Sequence, residues 1–189
     1  MRESFSQAEI QLAQNAKLIE RKNELLEKCF NVFALQGKVL YAEYAKSFPS
    51  SPSPKVNRGE HYQGFPYLML DYPRLFSTDD VFAFRTLFWW GNFISCTLHL
   101  KGSHLTECKS DLPFLLEQIN SSELNFRFSA RGDEWDHNLF GTHYHTIDAI
   151  DLNDNYEFLK LSTSLPIEEI NKLPSFFKQA HETLLGPLK

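Results

Sequence analysis

Residues 81–100, "VFAFRTLFWWGNFISCTLHL", constrain this chain more than any other stretch. Apolar and polar residues alternate there with a period of two, the pattern of strands with two distinct faces. Gly91-Asn92 divides the run and suits a tight turn, so two antiparallel strands joined by a two-residue hairpin are expected. In that register Trp90 faces Phe93, Phe88 faces Ser95, Thr86 faces Thr97 and Phe84 faces His99. The other face carries Val81, Ala83, Arg85, Leu87 and Trp89 against Ile94, Cys96, Leu98 and Leu100. Being apolar but for Arg85, that second face is expected to pack on helices.

The first face joins large aromatics to a few polar groups: Phe84, Thr86, Phe88, Trp90, Ser95, Thr97 and His99. An aromatic floor with convergent polar side chains is the usual lining of a small-molecule pocket, and these seven are the candidate ligand-binding residues. The competing reading is a sheet face half covered by a loop, its hydroxyls bonding to each other. Arg85 needs a partner, because an unpaired guanidinium in mid-strand is severely penalised. Asp71, in a strand expected over residues 67–72, is the nearest candidate for a structural buried ion pair, with Asp79 or Asp80 next.

The flanking elements complete an α+β chain. Ser6 and Glu9 have capping-box spacing, and Leu12, Ala16, Ile19, Leu26, Phe30 and Phe33 form one face of a long helix ending near Gly37. A second, shorter helix is expected through Leu40, Tyr44 and Phe48. The Pro- and Ser-rich run at about 49–59 reads as a loop within a single domain spanning 1–189. "SDLPFLLEQI" reads as a short helix, and "LNFRFSAR" as a strand with Leu124, Phe126 and Phe128 inward. "HYHTIDAI" and "YEFLKLST" are expected to pair as a hairpin, and a helix around Pro174 closes the chain. Helices, then several strands with one short helix among them, then a closing helix predict a mainly antiparallel sheet, with the long N-terminal and the C-terminal helix packed on one face.

Composition narrows the function classes. Aromatic content is 14%, with seventeen Phe, which favours an aromatic-rich core or an aromatic surface. The net charge is −5 without a basic stripe, which argues against nucleic-acid binding. No stretch approaches a membrane span, no apolar core of a signal peptide is present, and three cysteines without ligand spacing read as reduced thiols, so a cytoplasmic location is expected. There is no Gly-rich phosphate loop and no Gly-x-Ser-x-Gly elbow, so no cofactor is expected. Asp151, Asn153 and Asn155 imitate the start of a calcium loop, but Tyr156 and Ser162 occupy its glycine and glutamate positions.

Three histidines cluster in "DEWDHNLFGTHYHTID". On a strand His143 and His145 project to one side and could supply two imidazole ligands, with His137, Glu134 or Asp136 folding back to complete a site. Trp135 among its acidic neighbours reads either as part of a lid or as a pinned surface loop.

The segments "LDYPR" and "FRTLFWWGNF" resemble a conserved-hypothetical bacterial family of similar length, mainly over residues 57–102. That resemblance implies a bacterial origin and carries over no activity, cofactor or site residue. The function expected from the residues is therefore binding, of a small molecule or of a protein partner, self-association included, through the aromatic sheet face. The alternative is a metal-assisted, hydrolase-like enzyme around His143 and His145, and a third reading is a metal-free enzyme around His99.

Overall fold

A computed structural model describes residues 4–188. The helices are α1 (Gln7–Gln14), α2 (Ala16–Tyr44), α3 (Ser103–Glu107), α4 (Leu112–Ser121) and α5 (Leu173–Leu185). The strands are β1 (Lys55–Tyr62), β2 (Phe65–Phe76), β3 (Val81–Trp89), β4 (Phe93–Lys101), β5 (Phe126–Ser129), β6 (His145–Thr146) and β7 (Phe158–Pro166). They form one antiparallel sheet in the order β1-β2-β3-β4-β7-β5-β6. The fold is α+β, as expected. No helix among the described residues is long and apolar enough to cross a membrane.

The main core lies between the sheet and the helices. Leu26, Phe33, Leu40 and Tyr44 of α2 meet Phe84, Phe88, Leu98 and Leu100 of the sheet, with Phe176, Phe177 and Leu184 of α5. α2 runs over β1 and β2, and α5 over β4 and β7. The Ser6–Glu9 capping box is present, but the helical break falls at Asn15 rather than Gly37. Gly37 stands inside α2 because Pro54 crosses it closely: a Cβ there would lie 3.0 Å from Pro54 Cβ. The glycine permits a close approach and does not end the helix.

Three other expectations change. The loop expected at about 49–59 ends at Pro54, because Lys55 begins β1; a polar edge strand held by its backbone ladder to β2 shows no period of two. The 67–72 strand extends over Phe65–Phe76, with a bulge between Asp71 and Arg74 that contains the cis Tyr72–Pro73 peptide. The expected hairpin of 143–150 with 156–163 does not form; β5 lies between β6 and β7 and pairs with both.

The largest correction is the register of β3 and β4. Their connection has three residues, Trp90, Gly91 and Asn92, and Trp89 rather than Trp90 opposes Phe93. Gly91 adopts φ +72° there, and the Trp90 amide donates to the Pro66 carbonyl of the neighbouring strand. A slip of one residue on one strand re-pairs every position. Phe84 now opposes Leu98, Thr86 opposes Cys96 and Phe88 opposes Ile94, all toward the helices. Ala83, Arg85 and Leu87 oppose His99, Thr97 and Ser95 on the other face. The face carrying Arg85 is thus the one turned away from the helices.

Candidate functional site

The face opposite the helices is covered by chain without regular strand or helix, residues 130–144. That loop shapes itself through side-chain turns spaced along its own sequence. Asp133 Oδ1 accepts from the Trp135 amide (2.8 Å), Asp136 Oδ1 from the Asn138 amide (2.9 Å) and Asn138 Oδ1 from the Phe140 amide (3.2 Å). Asp and Asn favour these local turns over helix or strand. An apolar patch anchors one end, where Leu139 and Tyr144 pack on Leu87, Trp89 and Phe93. Arg127 of β5 adds a bond from Nη1 to the Leu139 carbonyl (2.8 Å).

Beside that patch the same face is polar. Arg85 binds Asp71 through two parallel bonds, Nε to Oδ1 at 2.7 Å and Nη2 to Oδ2 at 3.1 Å. Both side chains are largely buried, 11% and 5% exposed, so the expected pair exists in the fork geometry that suits guanidinium and carboxylate. Arg85 Nη1 lies 3.1 Å from His137 Nε2. A guanidinium can only donate, so Nε2 accepts and the His137 proton sits on Nδ1. The guanidinium also lies 5.7 Å from the ring centres of both Phe76 and Trp135, within cation–π range.

Lys160 of β7 stands directly across from His99 of β4. Its side chain is wholly buried, its amine donates to the Asp136 carbonyl, and it lies over the Tyr144 ring at 5.2 Å. Burial chiefly lowers its pKa, opposed by Asp136 and aided by Arg85, to about 7. His99 is 3% exposed, and burial, reinforced by Lys160, Arg85 and Lys101, lowers it to about 3. His137 is pushed well below its usual range, first by burial and then by Lys160 and Arg85. Both imidazoles are therefore neutral at pH 7.

His99 Nε2 lies 3.3 Å from Glu134 Oε2, yet among the described residues neither atom has a hydrogen-bond partner. With a neutral imidazole this is a close contact and not an ion pair. The other Glu134 oxygen receives Lys101 Nζ at 2.7 Å. Tyr62 links sheet and loop, accepting from the His137 amide (2.7 Å) and donating to Asp136 Oδ1 (3.2 Å). Burial, opposed by the His137 amide and aided by Asp136, raises its hydroxyl to about 12. Two hydroxyls close the floor, Thr97 Oγ1 and Ser162 Oγ, 2.8 Å apart.

The seven candidate ligand-binding residues are consequently divided between two layers. Ser95, Thr97 and His99 lie beneath the loop, whereas Phe84, Thr86, Phe88 and Trp90 belong to the helix-side core. Thr86 Oγ1 is there 3.7 Å from Cys96 Sγ. The three candidate metal ligands are also divided. The chain at 141–144 is turn rather than strand, Tyr144 points inward, and His143 and His145 are exposed. His143 rests over Gly132, where a Cβ would come within 2.5 Å of its Nδ1, and His145 meets Phe128. His137 is buried on Arg85, and among the described residues no three His, Cys, Asp or Glu side chains are grouped to hold a metal ion.

Sequence reasoning passed over Lys160. Its signal is a lone lysine at an alternating position between Leu159 and Leu161, which reads as solvent-facing until a loop is known to cover it. Comparison with known proteins adds no relative: no family model, curated protein or solved structure matches this chain.

Proposed function

We propose that the protein binds a small anionic ligand on the sheet face beneath residues 130–144, with the loop as a displaceable cover. The distribution of charge supports this reading. The sheet brings Arg85, Lys101 and Lys160 to that face against one carboxylate, Asp71, while the loop lays Asp133, Glu134 and Asp136 over them. The acidic turn thus stands where an anion would stand, with Glu134 on Lys101 and the Asp136 carbonyl on Lys160. Lifting it leaves a cationic floor with the His99 imidazole, two hydroxyls and aromatic walls, the chemistry that holds a carboxylate or phosphate. Gly132, at φ +85°, lies at the start of the loop and supplies a position of backbone freedom. The three free cysteines, two of them buried, support a reducing, cytoplasmic setting.

Trp135 reports on the cover, because it is 44% exposed and lies against both His99 and Arg85. Titration with inorganic phosphate and with citrate should change tryptophan fluorescence saturably, and Trp135→Phe should remove the change. Affinity should fall as NaCl rises, and should fall in Lys101→Met, whose side chain is at the rim. No response to either anion at millimolar concentration, or equal affinity in Lys101→Met, would overturn the reading. A response to neutral sugars alone would redirect it to an uncharged ligand.

A further inference from the structure

We infer that Lys160 is a covalent site on that face, its amine condensing with the carbonyl carbon of a small anionic oxo-acid or aldehyde to form an imine. The inference rests on the anion-binding reading and identifies the ligand class more narrowly. A lysine that serves only to hold an anion gains from being exposed enough to stay charged. Lys160 is instead 0% exposed, and its hydrogen bond goes to a carbonyl of the cover rather than to a carboxylate. Around it stand Arg85, His99 and His137, with Asp133, Glu134 and Asp136 contributed by the loop and the Tyr144 ring on one side. A desolvated lysine beside another cation has the environment that makes an amine nucleophilic at neutral pH.

Two neighbours fit the remaining requirements. Arg85 is locked by Asp71 through Nε and Nη2, which leaves Nη1, now on His137, as a donor that a ligand carboxylate can take. His99, directly across the ladder from Lys160, presents a buried Nε2 without a hydrogen-bond partner among the described residues, beside a Glu134 oxygen equally unpartnered among them. In the reaction the neutral amine's electron pair forms a C–N bond, and the carbonyl π pair moves to oxygen. One N–H proton passes to that oxygen to give the carbinolamine. The second N–H proton then leaves with the hydroxyl as water, breaking the C–O bond and forming C=N. Nothing is oxidised or reduced. His99, which stays on the floor across from Lys160 when the loop lifts, can carry the proton from nitrogen to the departing oxygen.

The test uses the wild-type protein with glyoxylate and cyanoborohydride at pH 7, followed by peptide mass mapping. Reduction turns a glyoxylate imine into a stable carboxymethyl amine on the lysine that formed it. Lys160 should be labelled at least about tenfold faster than exposed Lys172 and Lys178, because an ordinary lysine near pKa 10.4 is almost wholly protonated at pH 7. Citrate should slow labelling at Lys160 and leave the surface lysines unchanged. Lys160 unlabelled, or labelled no faster than Lys178, overturns the inference. Glyoxylate without reductant, followed by Trp135 fluorescence, separates the two claims. A saturable response without a Lys160 adduct rejects the imine and leaves anion binding standing. A Lys160 adduct without a saturable response rejects that mode of anion binding and leaves the covalent site.

Discussion

The face of the sheet toward α2, α4 and α5 buries Phe84, Phe88, Leu98 and Leu161, whereas the face beneath residues 130–144 buries Arg85, His99 and Lys160. β7 serves both, since Leu159 and Leu161 point to the helices while Lys160 and Ser162 point to the loop. The helix side is closed by regular elements and by apolar area removed from water, which stabilises without regard to direction or pH. The loop side is closed by fifteen residues, 130–144, that hold themselves with Asx turns and cover charges whose dehydration opposes folding. Burying ionisable groups under a segment without regular structure is a poor way to build stability. It is a suitable way to keep reactive groups dry under something that can move.

Truncation separates the faces most clearly when a second change is added. Asp71→Ala should cost about 3–5 kcal/mol in urea unfolding, because it strands the Arg85 guanidinium. Phe84→Ala on the helix side should cost a similar ~3–5 kcal/mol through lost burial and a cavity. Only the first should be largely recovered by a second substitution: Asp71→Leu with Arg85→Met, which removes both charges, should come within about 1–2 kcal/mol of wild type. Equal failure of the double variant would mean that the polar cluster is needed for folding itself.

Acidity provides the next contrast. Lys160 has its pKa lowered from 10.5 to about 7, so between those values the unfolded chain binds more protons and wild-type stability rises with pH. Lys160→Met does not titrate there, so its stability relative to wild type should fall by more than about 1 kcal/mol from pH 7 to pH 10. His99, lowered from 6.5 to about 3, opposes folding increasingly as pH falls through that window, and His99→Gln should lessen the loss. Leu161→Ala, one residue from Lys160 but facing the helices, should shift stability equally at every pH.

The smallest effect concerns the anchor of the cover. Phe140 is 67% exposed, meeting Phe93 at the edge of the apolar patch and the Arg127 guanidinium beside it. Phe140→Ala should cost less than about 1 kcal/mol globally, yet raise proteolysis within 130–144, which a timed digest would detect.

Much of this contrast was legible in the sequence. The period of two in 81–100 identified β3 and β4, and a lone guanidinium among apolar neighbours identified the Arg85–Asp71 pair. The facing was not legible, because both sides of β3 are buried and hydrophobicity alone cannot choose between a two- and a three-residue turn. That single slip assigned the helices to the wrong face and mixed core residues with site residues. β1 was hidden by its polar edge composition, and Lys160 because a strand lysine ordinarily faces water. The histidines were read as a strand pair, but turn-forming Asp136, Asn138 and Gly141 draw His137 inward and leave His143 outside.

Amide hydrogen exchange with and without citrate tests the central claim, that residues 130–144 are a displaceable cover over a cationic face. The His137 amide, held by the Tyr62 hydroxyl, is the probe in the loop, and the Leu98 amide in β4 is the reference. The account predicts that His137 exchanges through local opening, well ahead of Leu98, and that saturating citrate speeds it further while leaving Leu98 unchanged. Protection at His137 equal to that at Leu98, and indifferent to citrate, would contradict it.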